Sequence, residues 1–466
     1  MLSASSRTES TSADAVTGAV ISAAPVLPSE IVVLAAVTLG TMLAPLNSTM
    51  IVVALPSILD EFNRSLAWGS WIVVSYLVTM AAVQPLGGSL GDRFGRRWMF
   101  LIGLVGFLLA SVGAALAPSM ELLIAARTIQ ALAGAAAIPN GTAMVRSLLS
   151  ASRQGRAFGA IGSGVAIAAA AGPPLGGIVS EAVGWRWMFA ANILLVVPAV
   201  VLALRLTADR PRRQGRFDLI GSALFLVALV ALALSLTVWR LNGVPAVIPI
   251  LCGGFAVVST MLLKYRSHHH PAPAFNFGLF RRPGFTPATL TVLFSNLALY
   301  TVLLSVPVFL DKLAGWSSGE IGLLLAALSV QMVVFAPIGG RLADRRGRRY
   351  PALLGAVLIA LGIGPLIAID PGWSWLVLLG PLVTLGIGVG LSAAPVQAMA
   401  VNAAGAGESG QAAGLYSTMR YLGSILGSAG LAAILSDPPL GTEFRLLYLG
   451  LCMAALLAIA SASRLP

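Results

Sequence analysis

The stretch Gly88-Ser-Leu-Gly-Asp-Arg-Phe-Gly-Arg-Arg97 is short, strongly basic and placed between two long apolar runs. It returns later in the chain as Gly340-Arg-Leu-Ala-Asp-Arg-Arg-Gly-Arg-Arg349, with Gly, Asp-Arg, Gly and Arg-Arg at the same relative positions. Two copies of one basic turn predict two related halves. Because arginines do not settle in hydrocarbon, both turns should emerge on the same side of a membrane.

The composition agrees with a membrane protein that crosses the bilayer many times. Of 466 residues, 58% are hydrophobic and only 10% are charged, whereas soluble proteins carry about 25% charged residues. The net charge of +12 indicates anionic membrane lipids as partners, and no nucleic acid. The two cysteines, Cys252 and Cys452, lie inside apolar runs and predict isolated thiols, with no disulfide and no metal site.

Apolar runs long enough to span a bilayer recur fourteen times, and each predicts a helix, since only helices satisfy the backbone of an open chain in lipid. The predicted spans are 31–57, 68–90, 98–117, 120–145, 156–180, 187–206, 217–238, 245–265, 284–310, 319–341, 351–369, 373–398, 411–434 and 444–463.

The loops predict an orientation. We assign 22 of the 29 lysines and arginines to one set of alternating loops and tails. That asymmetry places these loops and both termini in the cytoplasm. Two arginines, Arg127 and Arg420, fall inside predicted helices.

The repeated turn follows the second and the tenth predicted helix, so two spare helices separate two halves of six. We therefore predict a cytoplasmic disordered tail at 1–29, a six-helix bundle at 30–208, a two-helix insert at 209–270 and a second bundle at 271–466. The run His268-His-His270 is predicted to be a solvated linker, with metal binding as the alternative.

Three further stretches carry signals of their own. Arg127-Thr-Ile-Gln130 places two polar side chains on one face of the fourth helix, where an arginine should face a cavity rather than lipid. Gly172-Pro-Pro-Leu-Gly-Gly177 combines helix-bending prolines with glycines that permit close helix contact. Leu46-Asn-Ser-Thr-Met-Ile-Val-Val-Ala-Leu-Pro56 lies in the first helix.

With the basic turn, these stretches resemble in order the motifs of the major facilitator superfamily, and in particular of its drug:proton antiporters with fourteen helices. The resemblance covers about residues 30–464. It implies an all-α membrane protein with the major facilitator fold, in which two six-helix bundles flank two extra central helices. It also implies alternating access, with no cofactor and with the proton gradient as driving force.

The resemblance assigns roles to the motif residues. The basic turns would form a conformational latch that closes the cytoplasmic side; the alternative is a simple topology anchor. Its residues are Gly88, Asp92, Arg93, Gly95, Arg96, Arg97, Gly340, Asp344, Arg345 and Arg348. The antiporter motif, Gly172, Pro173, Gly176 and Gly177, would seal the leak path of an exporter, or merely form a packed kink.

The cavity residues are predicted from polarity inside helices. Arg127 and Gln130 share a face that Asn140 could extend, with a purely structural role as the alternative; for Arg420, packing and cavity roles stand equal. Other candidates to line the cavity are Asn47, Met50, Trp71, Ser75, Tyr76, Gln84, Asn296, Tyr300, Gln331, Gln397 and Asn402. Such walls favour a small neutral or amphipathic substrate over a dication.

One position departs from the family pattern. Where the fourteen-helix antiporters often carry an aspartate in the first-helix motif, this chain has Asn47, which cannot carry a proton. None of the 17 acidic residues lies near a predicted helix midpoint. Asp311 is therefore our first candidate for the coupling carboxylate and Glu320 the second, although Asp311 could simply pair with Lys312; Asp92 is the third.

These observations predict a monomeric multi-pass protein of a bacterial inner membrane that exports drugs or secondary metabolites in exchange for protons. The alternative is a proton-coupled or facilitated importer of a small nutrient or metabolite. A membrane enzyme or sensor is not favoured, because the chain shows no metal cluster, nucleophile elbow or phosphate loop.

Overall fold

A computed structural model describes residues 28–206, 218–238, 244–270, 273, 275–403, 409–436 and 438–466. Some of the predictions concern parts of the chain outside these residues. They are the tail up to residue 27, the domain boundaries at 208/209 and 270/271, and the side chain of Asp92.

The described residues form fifteen α-helices in the order predicted from the apolar runs. Their bounds are α1 Pro28–Phe62, α2 Leu66–Phe94, α3 Arg96–Ala115, α4 Met120–Leu148, α5 Ala151–Val183, α6 Arg186–Ala190, α7 Ile193–Leu204, α8 Leu219–Thr237, α9 Val247–His269, α10 Phe285–Ala314, α11 Ser318–Arg346, α12 Arg349–Ile363, α13 Trp375–Asn402, α14 Ser409–Ile434 and α15 Gly441–Ala462. Short 3-10 helices occupy Phe277–Arg281 and Gly364–Ala368.

Fourteen long segments result, because α6 and α7 together make the sixth predicted helix. Within the described ranges, twelve segments are long and apolar enough to cross a membrane; α2 and α14 are the other two. The break between α6 and α7 was not predicted. It falls at Ala191 and Asn192, and the buried Asn192 amide turns inward to donate to Ser111 Oγ at 3.2 Å.

The prediction that the basic stretches are turns was wrong over most of their length. α2 continues through Phe94, and only Gly95, at φ 98°, breaks the helix before α3 begins at Arg96. In the second copy α11 continues through Arg346, and Gly347 at φ 80° makes the break. One residue in the first copy, and two in the second, Gly347 and Arg348, separate the helices, because glycine readily adopts the positive φ that the break requires. We call the end of the bundle that carries these two breaks the basic end.

The spacing of 252 residues holds well beyond the motif. Shifted by 252, the bounds of α2 become Leu66→Ser318 and Phe94→Arg346, which are the bounds of α11. Two contacts between the halves join residues with this same separation: Ser48 with Tyr300, and Asp60 with Lys312. Equivalent positions that face each other show that the halves are arranged about an approximate two-fold axis between α1 and α10.

The spare helices α8 and α9 pack against each other, and α8 also contacts α2 and α14, one from each half. Asp218 caps the start of α8 through Gly221 N at 2.8 Å and binds Arg266 near the end of α9 at 2.5 Å. The expectation that the histidine run is a linker was wrong for His268 and His269, which form the last turn of α9. Stacking of the His269 ring against Tyr265, 4.3 Å between centroids, extends that helix.

Candidate functional site

The two halves are packed tightly at one end of the bundle and loosely at the other. In α1 every residue from Leu46 to Pro56 is buried, and in α10 every residue from Thr301 to Leu310. In α11, by contrast, each residue from Gln331 to Ile338 is at least partly exposed. One face of this segment packs against Gly386 and Gly390 of α13, but the rest of its surface is accessible. We interpret the space between the halves as a cleft that is open towards the basic end and closed at the opposite end.

Arg127 lies at the floor of this region, fully buried in α4. Its Nη1 donates to Gln130 Oε1 at 2.7 Å and to Asn47 Oδ1 of α1. Its guanidinium lies 4.2 Å from the centre of the Tyr76 ring in α2. The predicted pairing of Arg127 with Gln130 on one helix face is thus present, and it ties three helices of the first half together.

The hydrogen-bond network of Arg127 extends beyond Gln130. Gln130 Nε2 donates to Ser111 Oγ at 2.8 Å, and Ser111 in turn donates to the Phe107 carbonyl. Asn140 does not belong to this network. It lies further along α4, where its amide donates to the Gly87 carbonyl at 2.7 Å.

No carboxylate pairs with Arg127 in the part of the chain that the structure describes. Its second terminal nitrogen, Nη2, is buried and has no hydrogen-bond partner there, and the same is true of the Tyr76 hydroxyl. A buried guanidinium held only by neutral groups is costly. The site therefore keeps a net positive charge.

Arg420 provides a second cation inside the bundle. It belongs to α14 of the other half, where its side chain is exposed although its helix is packed on both sides. Its guanidinium lies 5.1 Å from the Tyr421 ring and interacts electrostatically with Tyr300. Tyr300 also interacts with Arg127 and shares a 3.1 Å hydrogen bond with Ser48. Tyr300 therefore interacts with both arginines.

The closed end depends on the Gly-Pro stretch of α5. A Cβ at Gly172 would lie 1.8 Å from Thr49 Oγ1, and one at Gly176 would lie 2.6 Å from the Met50 carbonyl, both in α1. On its other face, a Cβ at Gly177 would lie 2.3 Å from the Ser318 carbonyl of α11. The glycines thus let α5 fit between α1 of its own half and α11 of the other, and the stretch is more than a kink.

Polar contacts supplement this closure. Glu181 accepts a hydrogen bond from Gly319 N at 2.7 Å, so a carboxylate of α5 caps the start of α11. Lys312 of α10 binds Asp60 of α1 and lies 3.4 Å from Asp311. A cavity of about 360 Å³ outside this contact is lined by Asp60 and Lys312. Sequence reasoning missed these bridges, although the 252-residue spacing of Asp60 and Lys312 was a usable signal.

The first two predicted coupling acids, Asp311 and Glu320, lie at this closed end and not in the cleft. Asp311 is about a quarter exposed and adjoins Lys312. Glu320 completes a capping box with Ser317 at the start of α11, so it is occupied with its own helix terminus.

The two predicted latch copies differ in their surroundings. In the first, Gly91 passes against Asn140 of α4. There Arg97 donates to the Leu204 carbonyl at 2.6 Å and to the Ala203 carbonyl at 3.1 Å, while Arg96 donates to the Ala143 carbonyl at 3.2 Å.

The second copy is freer. Gly340 has open space where a side chain would be, and Asp344 and Arg345 are exposed. Arg348 lies within hydrogen-bonding distance of the Asn402 side-chain amide. The first copy is therefore held within its half, and the second is more exposed at the basic end. Arg93, exposed, lies 5.6 Å from the Phe94 ring.

The histidine, cysteine and carboxylate side chains offer no metal centre. Among the described residues, no three of them come together in a group that could hold a metal ion, and Cys252 and Cys452 are free thiols. The polar groups around Arg127 and Arg420 are amides, hydroxyls and aromatic rings, which suits recognition of an organic molecule.

Three known proteins are similar to the chain over most of its length. The MFS-type transporter YvkA of Bacillus subtilis is 34% identical over 399 residues, covering 84% of this chain and 87% of YvkA. The multidrug resistance protein Stp of Mycobacterium tuberculosis is 33% identical over 412 residues, 88% of this chain and 76% of Stp. The methylenomycin A resistance protein of Streptomyces coelicolor is 30% identical over 450 residues, 94% and 93% of the two chains.

Residues 37–428 match the family described as Major Facilitator Superfamily. This range contains the Arg127 network, the α5–α11 contact and both copies of the basic stretch. Two helical halves about an approximate two-fold axis, with a cleft between them, are the architecture of secondary transporters and not of enzymes. The chain is a multi-pass membrane transporter and belongs to the Major Facilitator Superfamily.

Proposed function

We propose that this transporter exports drugs or secondary metabolites across the bacterial inner membrane in exchange for protons, by alternating access. The observation that carries the proposal is the closing contact between α5 and α11, built from the Gly-Pro stretch that resembles the antiporter motif. Relatives named for multidrug and methylenomycin A resistance support the substrate class. The fourteen helices and the first-helix stretch support membership of the fourteen-helix drug:proton antiporters.

In this proposal the basic end faces the cytoplasm, with both termini on that side, as the loop charges predict. Its arginines bind anionic lipid headgroups, and the protein acts as a monomer. The moving bodies are the bundles 30–208 and 271–466, with 209–270 inserted between them. The structure then corresponds to a state that receives substrate from the cytoplasm, because the cleft is open at the basic end.

Export requires the opposite end to open and the basic end to close. Separation of α5 from α11 breaks the glycine contact, the Glu181 cap and the bridge of Lys312 to Asp60. The exposed second copy of the basic stretch, with Asp344 and Arg345, would then meet the other half and serve as the latch.

The proton acts at the closing contact in this scheme, since Asn47 cannot carry one. Asp311 and Asp60 both lie beside Lys312; Asp60 and Lys312 line the cavity outside, which gives water access to this pair. Protonation of either carboxylate weakens its attraction for Lys312 and favours opening. An Asp311→Asn protein should transport with little response to an imposed pH gradient; a full response in that variant would remove Asp311 from this role.

The proposal is tested by accumulation of antibiotics and dyes in bacteria that lack their main efflux pumps. Cells that produce the protein should accumulate less of at least one compound, and a protonophore should abolish the difference. Export that survives the protonophore would contradict proton coupling but not export. The alternative function is import, which is favoured because the described residues of the cleft include no carboxylate. Higher accumulation in the cells that produce the protein would establish import.

A further inference from the structure

We infer that the central cleft selects an amphipathic organic monoanion, a carboxylate or phenolate, whose charged group binds Arg420. The inference rests on the proposed function and specifies the substrate class of that site. It keeps the amphipathic character expected from the sequence and assigns the substrate a negative charge.

The first argument is the charge of the cleft. Arg127 and Arg420 approach it from opposite halves, and among the described residues the cleft contains no carboxylate. Asp311 lies eleven residues along α10 from Tyr300, which is about 16 Å at 1.5 Å per residue. Asp60 lies thirteen residues along α1 from Asn47, about 20 Å. Neither acid can neutralise the arginines at that distance.

The second argument concerns the partners of Arg127. In the part of the chain that is described, its Nη2 and the Tyr76 hydroxyl are buried without hydrogen-bond partners. Its oxygen partners are all neutral: the side-chain amides of Asn47 and Gln130 and the Ile72 carbonyl. The nearest acid along α4, Glu121, is exposed and binds Arg64 at 2.6 Å. The field of an uncompensated cation in a poorly hydrated region therefore extends past Tyr76 towards the cleft.

The third argument is that Arg420 is placed to make direct contact. Its side chain is exposed within the bundle, and no salt bridge holds it among the described residues. A planar guanidinium binds a carboxylate through two parallel hydrogen bonds. Buried Arg127 does not contact the ligand and acts as a positioning residue, because the Tyr76 ring covers it, with 4.2 Å between the guanidinium and the ring centre.

The surroundings of Arg420 suggest the rest of the ligand. The Tyr421 ring lies 5.1 Å from the guanidinium, and Tyr416 and Tyr300 interact with it electrostatically. An anion with an apolar, preferably aromatic, body would stack on these rings while its charged end meets Arg420. A cation of the same shape would meet two like charges in a region of low dielectric, and is selected against.

The test uses three probes that share one ring system and differ in charge: 2-naphthoate, its methyl ester and 2-naphthylmethylamine. Binding to the purified full-length protein in detergent is measured by calorimetry. The variants are Arg420→Gln, Arg420→Lys and, as a matched control, Arg445→Gln at the exposed start of α15 on the closed end. We expect naphthoate to bind at least tenfold more tightly than the ester or the amine.

Arg420→Gln should weaken naphthoate binding at least tenfold, Arg420→Lys should recover part of the loss, and Arg445→Gln should bind like the wild type. The comparison of the three probes on wild-type protein needs no variant to fold. Stronger binding of the amine or the ester, equal binding of all three, or no binding of any, would overturn the inference.

The accumulation assay tests the proposed function separately from the anion selectivity. Export of a cationic or neutral dye with no preference for naphthoate would leave an exporter and contradict only the anion selectivity. Naphthoate binding that depends on Arg420, in a protein that exports nothing, would support the anion site and contradict export.

Discussion

Arg127 of α4 donates a hydrogen bond to the side-chain oxygen of Asn47 in α1, so a neutral amide occupies the position where a carboxylate would balance the arginine. The guanidinium is fully buried. This pairing accounts for two features at once. It removes the proton carrier that the first-helix motif would supply, and it leaves the cleft positive.

The substitution Asn47→Asp should reduce the positive charge of the cleft. A carboxylate within hydrogen-bond distance would neutralise Arg127, and the attraction for an anion in the cleft would decrease. We expect the affinity for 2-naphthoate to fall about tenfold, because the loss of one nearby unit charge at an effective dielectric constant of about 20 exceeds the energy of one decade in binding. Calorimetry on the purified variant measures it.

Asn47→Gln is the matched control, since it changes the length of the side chain but not its charge. Unchanged naphthoate affinity in the aspartate variant would show that Arg127 does not influence the ligand.

Gly177→Ala should impair closure of the end opposite the basic end. The added Cβ would lie 2.3 Å from the Ser318 carbonyl, a backbone atom that cannot turn away as a side chain would. α5 and α11 must then separate, so transport should fall about tenfold or more while the protein still inserts in the membrane. Transport in cells with matched expression measures the loss.

Gly162→Ala serves as its comparison, because Gly162 lies in the same helix and has open space around the position of a Cβ. Near wild-type transport is expected there. Equal activity of the two alanine variants would show that the closure tolerates a methyl group at this contact.

The two copies of the basic stretch should differ in their contribution to stability. Arg97 donates to two carbonyls at the end of α7, while Arg349, 252 residues later, is exposed. Loss of these hydrogen bonds in Arg97→Gln should cost about 1–2 kcal/mol and lower the melting temperature by about 1–3 °C. Arg349→Gln should melt like the wild type, and equal losses would contradict the asymmetry.

Much of the fold follows from periodicity and repetition in the sequence. The apolar runs predict the fourteen long segments, and the 252-residue repeat predicts two halves, because both depend only on local composition. The pairing of Arg127 with Gln130 was also predictable, since three residues make almost one helical turn.

Contacts between distant helices were not predictable in this way. The helix face of Asn47 is evident from its neighbours, but its partner depends on how α1 crosses α4. The continuation of α2 to Phe94 was missed because Gly88 and Gly91 favour a turn on local grounds. In the fold Gly91 instead allows close packing against Asn140, which stabilises the helix. Accessibility of Arg420 likewise depends on the separation of the halves, which no single segment encodes.

Alternating access is tested most directly at Ser57 of α1 and Ser318 of α11, whose hydroxyl oxygens lie 3.4 Å apart across the closed end. Cysteines at both positions, with Cys252 and Cys452 replaced by alanine, should form a disulfide on mild oxidation. We predict that the cross-link abolishes transport of the compound identified in the accumulation assay and that a reductant restores it. Undiminished transport by fully cross-linked protein would contradict the account.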